Sequence, residues 1–193
     1  MEQKNLSFTF RMLRALGFNY SEEEYGNVSI LTVFGKFFHN IRMKRLTKMM
    51  DWAILEPFAP RKIRPRIMRK MGCHVGQGCF IGDHVIIDTG HADMITLEDG
   101  VSVAGGTRLL CHQRDFSEYF VGSDYNKLRY TIKPIVLKKG CLIGMESFVL
   151  PGVTVGEGAI VGAGSLVTKD IPAWTVASGR PAKVVREIPQ RSK

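Results

Sequence analysis

A short polar segment interrupts an apolar run near the middle of the chain. Residues 108–116 read RLLCHQRDF, so Leu109 and Leu110 lead directly into Cys111 and His112. An imidazole, whose unperturbed pKa is about 6.5, can take a proton from a hydroxyl group at neutral pH. His112 is therefore a candidate general base. Cys111 is a weaker candidate nucleophile, because neighbouring side chains on a strand point to opposite sides and His112 could not readily activate it.

A repeat of six residues surrounds this segment. Aliphatic side chains recur at that spacing at positions 75, 81, 87, 97, 103, 109, 137, 143, 149, 155, 161 and 167, with a four-residue insertion before position 97. A period of six fits neither an α-helix nor a heptad, and the many glycines argue against a helix. The pattern predicts a parallel β-helix in which each hexapeptide forms one short strand and one corner, with the aliphatic side chain pointing inward.

Small, β-branched or thiol side chains stand two residues before each aliphatic position, and three of them are Cys73, Cys79 and Cys141. Small or β-branched side chains are what a tight inner corner would accept. The four cysteines of the chain contain no CxxC pair, so we expect reduced, buried thiols rather than a disulfide framework.

The repeat also indicates how the chain is organised. It stops between Leu109 and Leu137, which predicts a functional loop at about 112–133. We expect a basic, helical N-terminal region over residues 1–71 and a β-helix over residues 72–188, with a C-terminal strap at about 171–188.

The blocks LLCHQRDF and KPIVLKKGCLIGMESFVLPGVTVGEGAIVGAGSLVTKDIPAWTVASGRPAKVVREI resemble the hexapeptide-repeat acyltransferases. The resemblance is to those that O-acetylate sugars, xenobiotics, capsular polysaccharides and colanic acid. It implies a mainly β fold, a left-handed parallel β-helix with triangular coils, and a homotrimer. It also implies acetyl-CoA as co-substrate, with no metal, and a sugar hydroxyl of a surface polysaccharide or its precursor as acceptor. The sequence departs from the family at Cys111, where Thr is commoner, and at Leu142, where Trp is frequent.

The resemblance also assigns roles to individual residues. His112 would be the general base, and His84 would assist the acetyl oxygen from across a trimer interface. Asp88 and Asp93 would hold sugar hydroxyls. Two groups of residues would bind the donor, the first along its pantetheine arm and the second near its phosphates: Gly144, Met145, Ala163 and Gly164; Thr168, Lys169, Lys183 and Arg186.

Positive charge is concentrated in the N-terminal third. Residues 1–72 contain 14 Lys or Arg against 6 Asp or Glu, whereas residues 73–193 contain 13 against 12. This distribution does not suit an evenly basic nucleic-acid-binding protein. Residues 29–55 predict an amphipathic basic helix, which either packs on the β-helix or trimer or contacts an anionic membrane surface. With no apolar run of about 18 residues and no secretory signal, we expect a cytoplasmic protein, located at the inner face of the membrane if that contact forms.

Two alternative functions remain at this stage. A zinc enzyme like the γ-class carbonic anhydrases is one, although a second histidine is missing from the expected place, since Ser117 stands five residues after His112. The other is a non-catalytic hexapeptide scaffold, which would tolerate the loss of His112.

Overall fold

The structure, a computed structural model, describes residues 6–17, 25–52, 56 and 58–190. The chain divides into two compact units, Met1–Arg45 and Leu46–Lys193. Residues 46–71, which the sequence grouped with the N-terminal region, therefore belong to the second unit. The first strand of the β-helix begins only at His74.

Two helices account for most of the described N-terminal residues. Helix α1 spans Phe8–Ala15, and Ser7 caps it by accepting a 3.2 Å hydrogen bond from the backbone N–H of Phe10. Helix α2 spans Ile30–Met50. It is helical as predicted, but its apolar residues lie on two opposite faces, so it is not a simple amphipathic helix.

Helical turns lead into the β-helix. A π-helical turn at Ala59–Ile63 continues into helix α3, Arg64–Met71, which ends at Gly72 in a left-handed conformation with φ of 116°. The buried guanidinium of Arg64 donates to the carbonyl of Met50 at 2.7 Å and pairs with Glu56 at 2.5 Å. Because these hydrogen bonds satisfy a buried charge, Arg64 ties the end of α2 to the start of α3.

Sixteen short strands follow within the described residues, and most contain two or three residues. Their bounds are β1 His74–Val75, β2 Phe80–Ile81, β3 Ile86–Ile87, β4 Ile95–Leu97, β5 Ser102–Val103, β6 Arg108–Leu109, β7 His112–Arg114, β8 Tyr130–Ile132, β9 Ile135–Leu137, β10 Leu142–Ile143, β11 Phe148–Val149, β12 Thr154–Val155, β13 Ile160–Val161, β14 Leu166–Val167, β15 Thr175–Gly179 and β16 Ala182–Glu187. They form three parallel sheets, ordered β1-β4-β9-β12, β2-β5-β10-β13-β15 and β3-β6-β11-β14, with β16 antiparallel to β15.

Strand pairing confirms that three hexapeptides make one coil. Val136 pairs with Thr154, a separation of 18 residues. Ile86 pairs with Arg108, a separation of 22, because the four-residue insertion lies between them. Eleven of the twelve aliphatic repeat positions are buried, and Val75 in the first coil is half-buried. All the small residues two positions earlier are buried as well, so the predicted core is confirmed.

The predicted interruption forms an antiparallel hairpin. Strand β7 pairs with β8 in the register His112 to Ile132 and Arg114 to Tyr130. The guanidinium of Arg114 lies over the rings of Tyr125 and Tyr130, at 5.1 and 4.2 Å, and donates to the carbonyl of Leu128 at 2.5 Å. These contacts close the hairpin on itself, with His112 at its base.

Candidate active site

Two stacked strands bring Asp88 and His112 together. Strands β3 and β6 are parallel neighbours with Ile87 opposite Leu109, and Asp88 follows β3 directly. The backbone N–H of Asp88 donates to the carbonyl of Leu109 at 3.0 Å, which continues the ladder one residue further. Side chains that leave β3 and β6 at this corner therefore meet, although 24 residues separate Asp88 from His112.

The carboxylate of Asp88 is the centre of this cluster. Its side chain is only 4% exposed, and its Oδ2 accepts hydrogen bonds from His112 Nδ1 and from the backbone N–H of Cys111, the latter at 3.2 Å. Its Oδ1 lies 3.3 Å from Nδ1 of His91. Burial raises the pKa of Asp88, but its hydrogen bonds and charge interactions with His112 and then His91 outweigh burial, so the pKa is lowered overall. Asp88 is therefore a carboxylate at neutral pH.

This carboxylate determines which nitrogen of His112 carries the proton. An ionised carboxylate only accepts hydrogen bonds, so Nδ1 of His112 must donate to it and Nε2 is left without a proton on the neutral ring. The side chain of His112 is 41% exposed. Its Nε2 can therefore take a proton from a bound hydroxyl group, while Asp88 stabilises the imidazolium that forms.

Two further rings flank His112. The ring of His91 lies 5.4 Å away in a tilted arrangement, and the ring of Tyr130 lies 5.4 Å away, edge to face. His91 precedes the short 3₁₀ helix Ala92–Met94, so the four-residue insertion supplies it. Tyr130 belongs to β8, so the hairpin supplies it.

Asp88, His91 and His112 are also close enough to hold a metal ion. One potential ligand atom from each lies within 4.8 Å of the others, and two imidazoles with one carboxylate form a donor set that zinc accepts. In the structure Nδ1 of both histidines faces the carboxylate, as hydrogen bonding requires. A metal at this place would take over the nitrogen through which Asp88 orients His112.

The structure argues against Cys111 as a nucleophile. Its side chain is fully buried, and burial, followed by the nearby charge of Asp88, raises its pKa to about 11. Because the thiolate is the reactive form, Cys111 is inert at neutral pH.

Of the other two residues predicted for the acyl or acceptor site, His84 lies at a different corner from His112, whereas the charge of Asp93 helps to raise the pKa of Cys111, the neighbour of His112. His84 precedes β3 whereas Asp88 follows it, so the two occupy different corners of the coil. The imidazole of His84 is 73% exposed, and its Nδ1 lies 3.4 Å from the carboxylate of Asp83. Asp93 is exposed in the 3₁₀ helix that follows His91.

Four residues predicted to bind the donor meet at one corner of two stacked coils. The backbone N–H of Gly164 donates to the carbonyl of Met145 at 2.7 Å. A Cβ added to Gly144 would lie 2.5 Å from the backbone nitrogen of Ala163, so only glycine allows this close approach. The side chain of Met145 is 59% exposed beside them.

The four residues predicted near the donor phosphates are all exposed. Thr168 and Lys169 follow β14, whereas Lys183 and Arg186 lie on β16. Arg180, which the sequence did not single out, donates to the carbonyl of Gly164 at 3.3 Å. It therefore adds a positive charge next to the corner occupied by Gly144 and Met145.

The hairpin borders an open polar cleft of about 570 Å³. Carboxylates, hydroxyls and one guanidinium make up most of its lining, which is Asp115, Ser117, Glu118, Ser123, Asp124, Leu128 and Arg129. These are groups that hydrogen-bond hydroxyl-rich molecules.

A family model described as bacterial transferase hexapeptide (six repeats) matches residues 134–169. These residues form coils of the β-helix, so this part of the chain carries the hexapeptide repeat of that family. Galactoside O-acetyltransferase of Escherichia coli is 48% identical over 60 residues, which are 31% of this chain and 30% of that protein. The chain spans less than half the length of the curated relatives it matches.

Solved structures of hexapeptide-repeat proteins share the fold. A maltose O-acetyltransferase from Clostridium difficile superposes with a TM-score of 0.62 at 22% identity, over 97% of this chain and 100% of that one. A galactoside acetyltransferase in complex with coenzyme A superposes with a TM-score of 0.58 at 22% identity, over 89% and 92%. The predicted left-handed parallel β-helix is thereby confirmed.

Sequence reasoning singled out His112 as a candidate but missed the arrangement around it. Asp88 was assigned to sugar hydroxyls, whereas its buried carboxylate faces His112 and His91. The repeat contained the necessary signal, because a coil of 18 residues plus the insertion of four places Ile87 beside Leu109 in a hexapeptide-repeat protein. No comparable signal pointed to Tyr130, since it lies inside the interruption.

Proposed function

We propose that this protein is an acetyl-CoA-dependent O-acetyltransferase that acts on a sugar hydroxyl of a surface polysaccharide or its precursor. The observation that carries the proposal is the pair formed by Asp88 and His112 at the base of the hairpin. It supplies an oriented base with one nitrogen accessible to solvent, which acyl transfer to an alcohol requires. The names of the E. coli and C. difficile relatives, both sugar O-acetyltransferases, support the same reaction class.

The reaction needs no covalent enzyme intermediate, because a thioester is already activated. His112 Nε2 takes the proton of the acceptor hydroxyl as its oxygen bonds to the thioester carbonyl carbon. The tetrahedral intermediate then collapses, the C–S bond breaks, and His112 returns its proton to the departing thiolate. Asp88 holds Nδ1–H throughout and stabilises the imidazolium between the two proton transfers.

The donor would lie along the corner formed by Gly144, Met145 and Gly164. Backbone groups there can pair with the amides of the pantetheine arm, and the complex of the related galactoside acetyltransferase with coenzyme A supports a donor of this type. Lys169 and Arg186, together with Thr168 and Lys183, would contact the phosphates, where cations form charge-assisted hydrogen bonds. The sugar would enter the hairpin cleft.

A homotrimer completes this proposal. Stacked coils leave flat outer faces, and both His84 and Asp93 are exposed, with His84 at a different corner of its own chain from His112. In a trimer they would reach the His112 site of a neighbouring copy, where His84 would assist the acetyl oxygen and Asp93 would bind a sugar hydroxyl. We further propose that the enzyme works in the cytoplasm.

The test measures acetyl-CoA binding by calorimetry and thiol release over a panel of sugar acceptors. His112→Ala should bind acetyl-CoA as the wild type does and lose about 10²- to 10⁴-fold in turnover, the usual contribution of a general base. His74→Ala, at an exposed histidine on β1, is the matched control and should leave turnover unchanged. If the folded wild type does not bind acetyl-CoA, the acyltransferase proposal is wrong and the scaffold alternative replaces it.

One observation favours a second candidate, a zinc-dependent hydratase, because Asp88, His91 and His112 could hold a metal. Metal analysis of the purified protein and an assay of CO₂ hydration with added Zn²⁺ separate the two. The acyltransferase proposal expects added Zn²⁺ to inhibit thiol release, since the metal would compete for Nδ1 of His112. Stoichiometric zinc with hydratase activity would support the second candidate.

A further inference from the structure

The N-terminal half of helix α2 exposes a row of large apolar side chains. We define the apolar stripe as Ile30, Leu31, Phe34, Phe37 and Phe38, which recur at spacings of three and four residues and therefore share one side of the helix. Their exposed fractions run from 42% for Ile30 to 78% for Leu31, and the three phenylalanines are 55–65% exposed. Three exposed phenylalanines within five residues form a contiguous apolar patch. Such a patch indicates an interaction surface, whereas single exposed hydrophobic residues do not.

This stripe is not the face that α2 uses for packing. Met43, Leu46 and Met50 are buried, and their spacing of three and four residues puts them on one side of the helix as well. At 3.6 residues per turn, Met43 lies about 180° around the axis from Phe34. The helix therefore has a buried apolar face in its second half and an exposed one, on the opposite side, in its first half.

The charge on α2 has a single sign. Its sequence ILTVFGKFFHNIRMKRLTKMM contains five Lys or Arg residues and no Asp or Glu. By the same helical geometry, Arg45 and Lys48 continue the line of the stripe toward the C-terminus, and Lys44 lies at its border. All three are exposed. Their long alkyl stems can lie along an apolar surface while their charges stay in a polar layer.

Aromatic side chains next to a purely cationic face match an anionic lipid surface. Phenylalanines enter the boundary between headgroups and acyl chains, while lysines and arginines pair with the headgroups. None of the helices that the structure describes is long and apolar enough to cross a bilayer. A second copy of the chain fits this face less well, because two such helices would bring like charges together.

We propose that the apolar stripe and Lys44, Arg45 and Lys48 form a docking site for an anionic membrane surface, with α2 lying in the interface. The site is separate from the residues proposed for acyl transfer. Its failure would leave that proposal intact, because turnover of a soluble acceptor does not depend on it.

The experiment measures cosedimentation of the full chain with two kinds of vesicle. One kind is phosphatidylcholine with roughly 30% phosphatidylglycerol, an anionic share like that of a charged leaflet, and the other is phosphatidylcholine alone. We expect binding to the anionic vesicles that weakens as salt rises. The triple variant Lys44→Gln, Arg45→Gln, Lys48→Gln should lower the partition coefficient by about 100-fold, since each cation near such a surface contributes roughly fivefold. The double variant Phe34→Ser, Phe37→Ser should lower the partition coefficient on both kinds of vesicle.

Matched controls distinguish the helix from charge or hydrophobicity in general. Arg61→Gln, Lys62→Gln, Arg66→Gln removes the same charge from exposed residues outside α2, and Phe120→Ser removes an exposed phenylalanine of the hairpin. Both variants should bind as the wild type does. Equal losses in variant and control, or wild-type binding that is the same on neutral vesicles, would overturn the proposal.

Light scattering of the Phe34 and Phe37 variant decides between a membrane and a second copy. The proposal expects an unchanged oligomeric state and an unchanged helical signal in circular dichroism. Dissociation of the oligomer, together with no vesicle binding by the wild type, would instead show that the stripe is an interface between copies.

Discussion

Replacing Asp88 tests the proposed base most directly, because two substitutions at this position should differ in a way that the structure specifies. In Asp88→Ala, the buried N–H of Cys111 and Nδ1 of His112 lose their shared acceptor. His112 then has no group that selects its tautomer or holds its ring. We expect kcat to fall by about 10²-fold or more, approaching the loss in His112→Ala.

Asp88→Asn should be milder, since one oxygen can keep both of those bonds. The amide oxygen would occupy the place of Oδ2, where Cys111 and His112 donate, and the NH₂ group would face His91, now 3.3 Å from Oδ1. Only the negative charge is lost. A charged hydrogen bond contributes about 1.5–3 kcal/mol and a neutral one about 0.5–1.5, so the cost is about 1–1.5 kcal/mol, or roughly tenfold in kcat.

Thiol release measures both variants at saturating donor and acceptor, and KM for acetyl-CoA should not change. Asp99→Asn is the control, because the carboxylate of Asp99 also accepts a backbone hydrogen bond, from Gln77, but lies at a different corner of the coil, between β4 and β5. Removing a base would lower kcat far more than threefold. If Asp88→Ala keeps kcat within about threefold of the wild-type value, Asp88 does not orient His112. If the Asn variant is as slow as the Ala variant, the amide is turned the other way, and the assignment of its oxygen is wrong.

Four further predictions concern packing, helix propensity and titration. Gly144→Ala should lower the free energy of unfolding by about 1–3 kcal/mol in urea titrations, because its Cβ would press on the backbone of Ala163. Gly35→Ala should instead increase helical ellipticity, because Gly35 lies in the interior of α2 and a Cβ added there would have no atom within 4 Å. A decrease in ellipticity would contradict this prediction. Cys111, with its pKa raised to about 11, should not react with Ellman's reagent at pH 8 until the chain unfolds; rapid labelling of the folded protein would refute its burial. Because the pKa of Asp88 is lowered in the folded chain, the stability that its charge adds over Asp88→Asn should be present at a pH of about 4 and be lost as the pH falls below that value. Thermal unfolding of both proteins at each pH measures this difference, and a difference that grows as the pH falls below about 4 would contradict the shift.

The repeat made most of the fold predictable from the sequence. The aliphatic residue of each hexapeptide marks the position that points inward, and every such position from Ile81 to Val167 is buried. Helix α2 was harder to predict, because Phe37 and Met43 are equally apolar and only one of them is buried. Composition alone does not say which of two apolar faces finds a partner.

The contacts of Asp88 were predicted less well, and the reason is the insertion that follows it. Between β3 and β4 the chain adds four residues, which blurred the alignment with the family and led to the assignment of Asp88 to the acceptor. The pairing of Ile87 with Leu109 removes this ambiguity. His91 also lies in the insertion and could be placed only once the carboxylate it faces was located.

Both interruptions of the repeat occur at the same corner of neighbouring coils, and this explains where the site is. A regular corner is repeated in each coil and offers no special position for a base. Where the insertion after β3 lies against the hairpin after β6, Asp88 and His91 come from one interruption and His112 and Tyr130 from the other. His112 is held by Asp88 at the end of a rigid strand, whereas Tyr130 touches it only by ring contact. The residues of the hairpin can therefore change without displacing His112, so under the proposed function the hairpin is the part of the chain that would determine which acceptor is used.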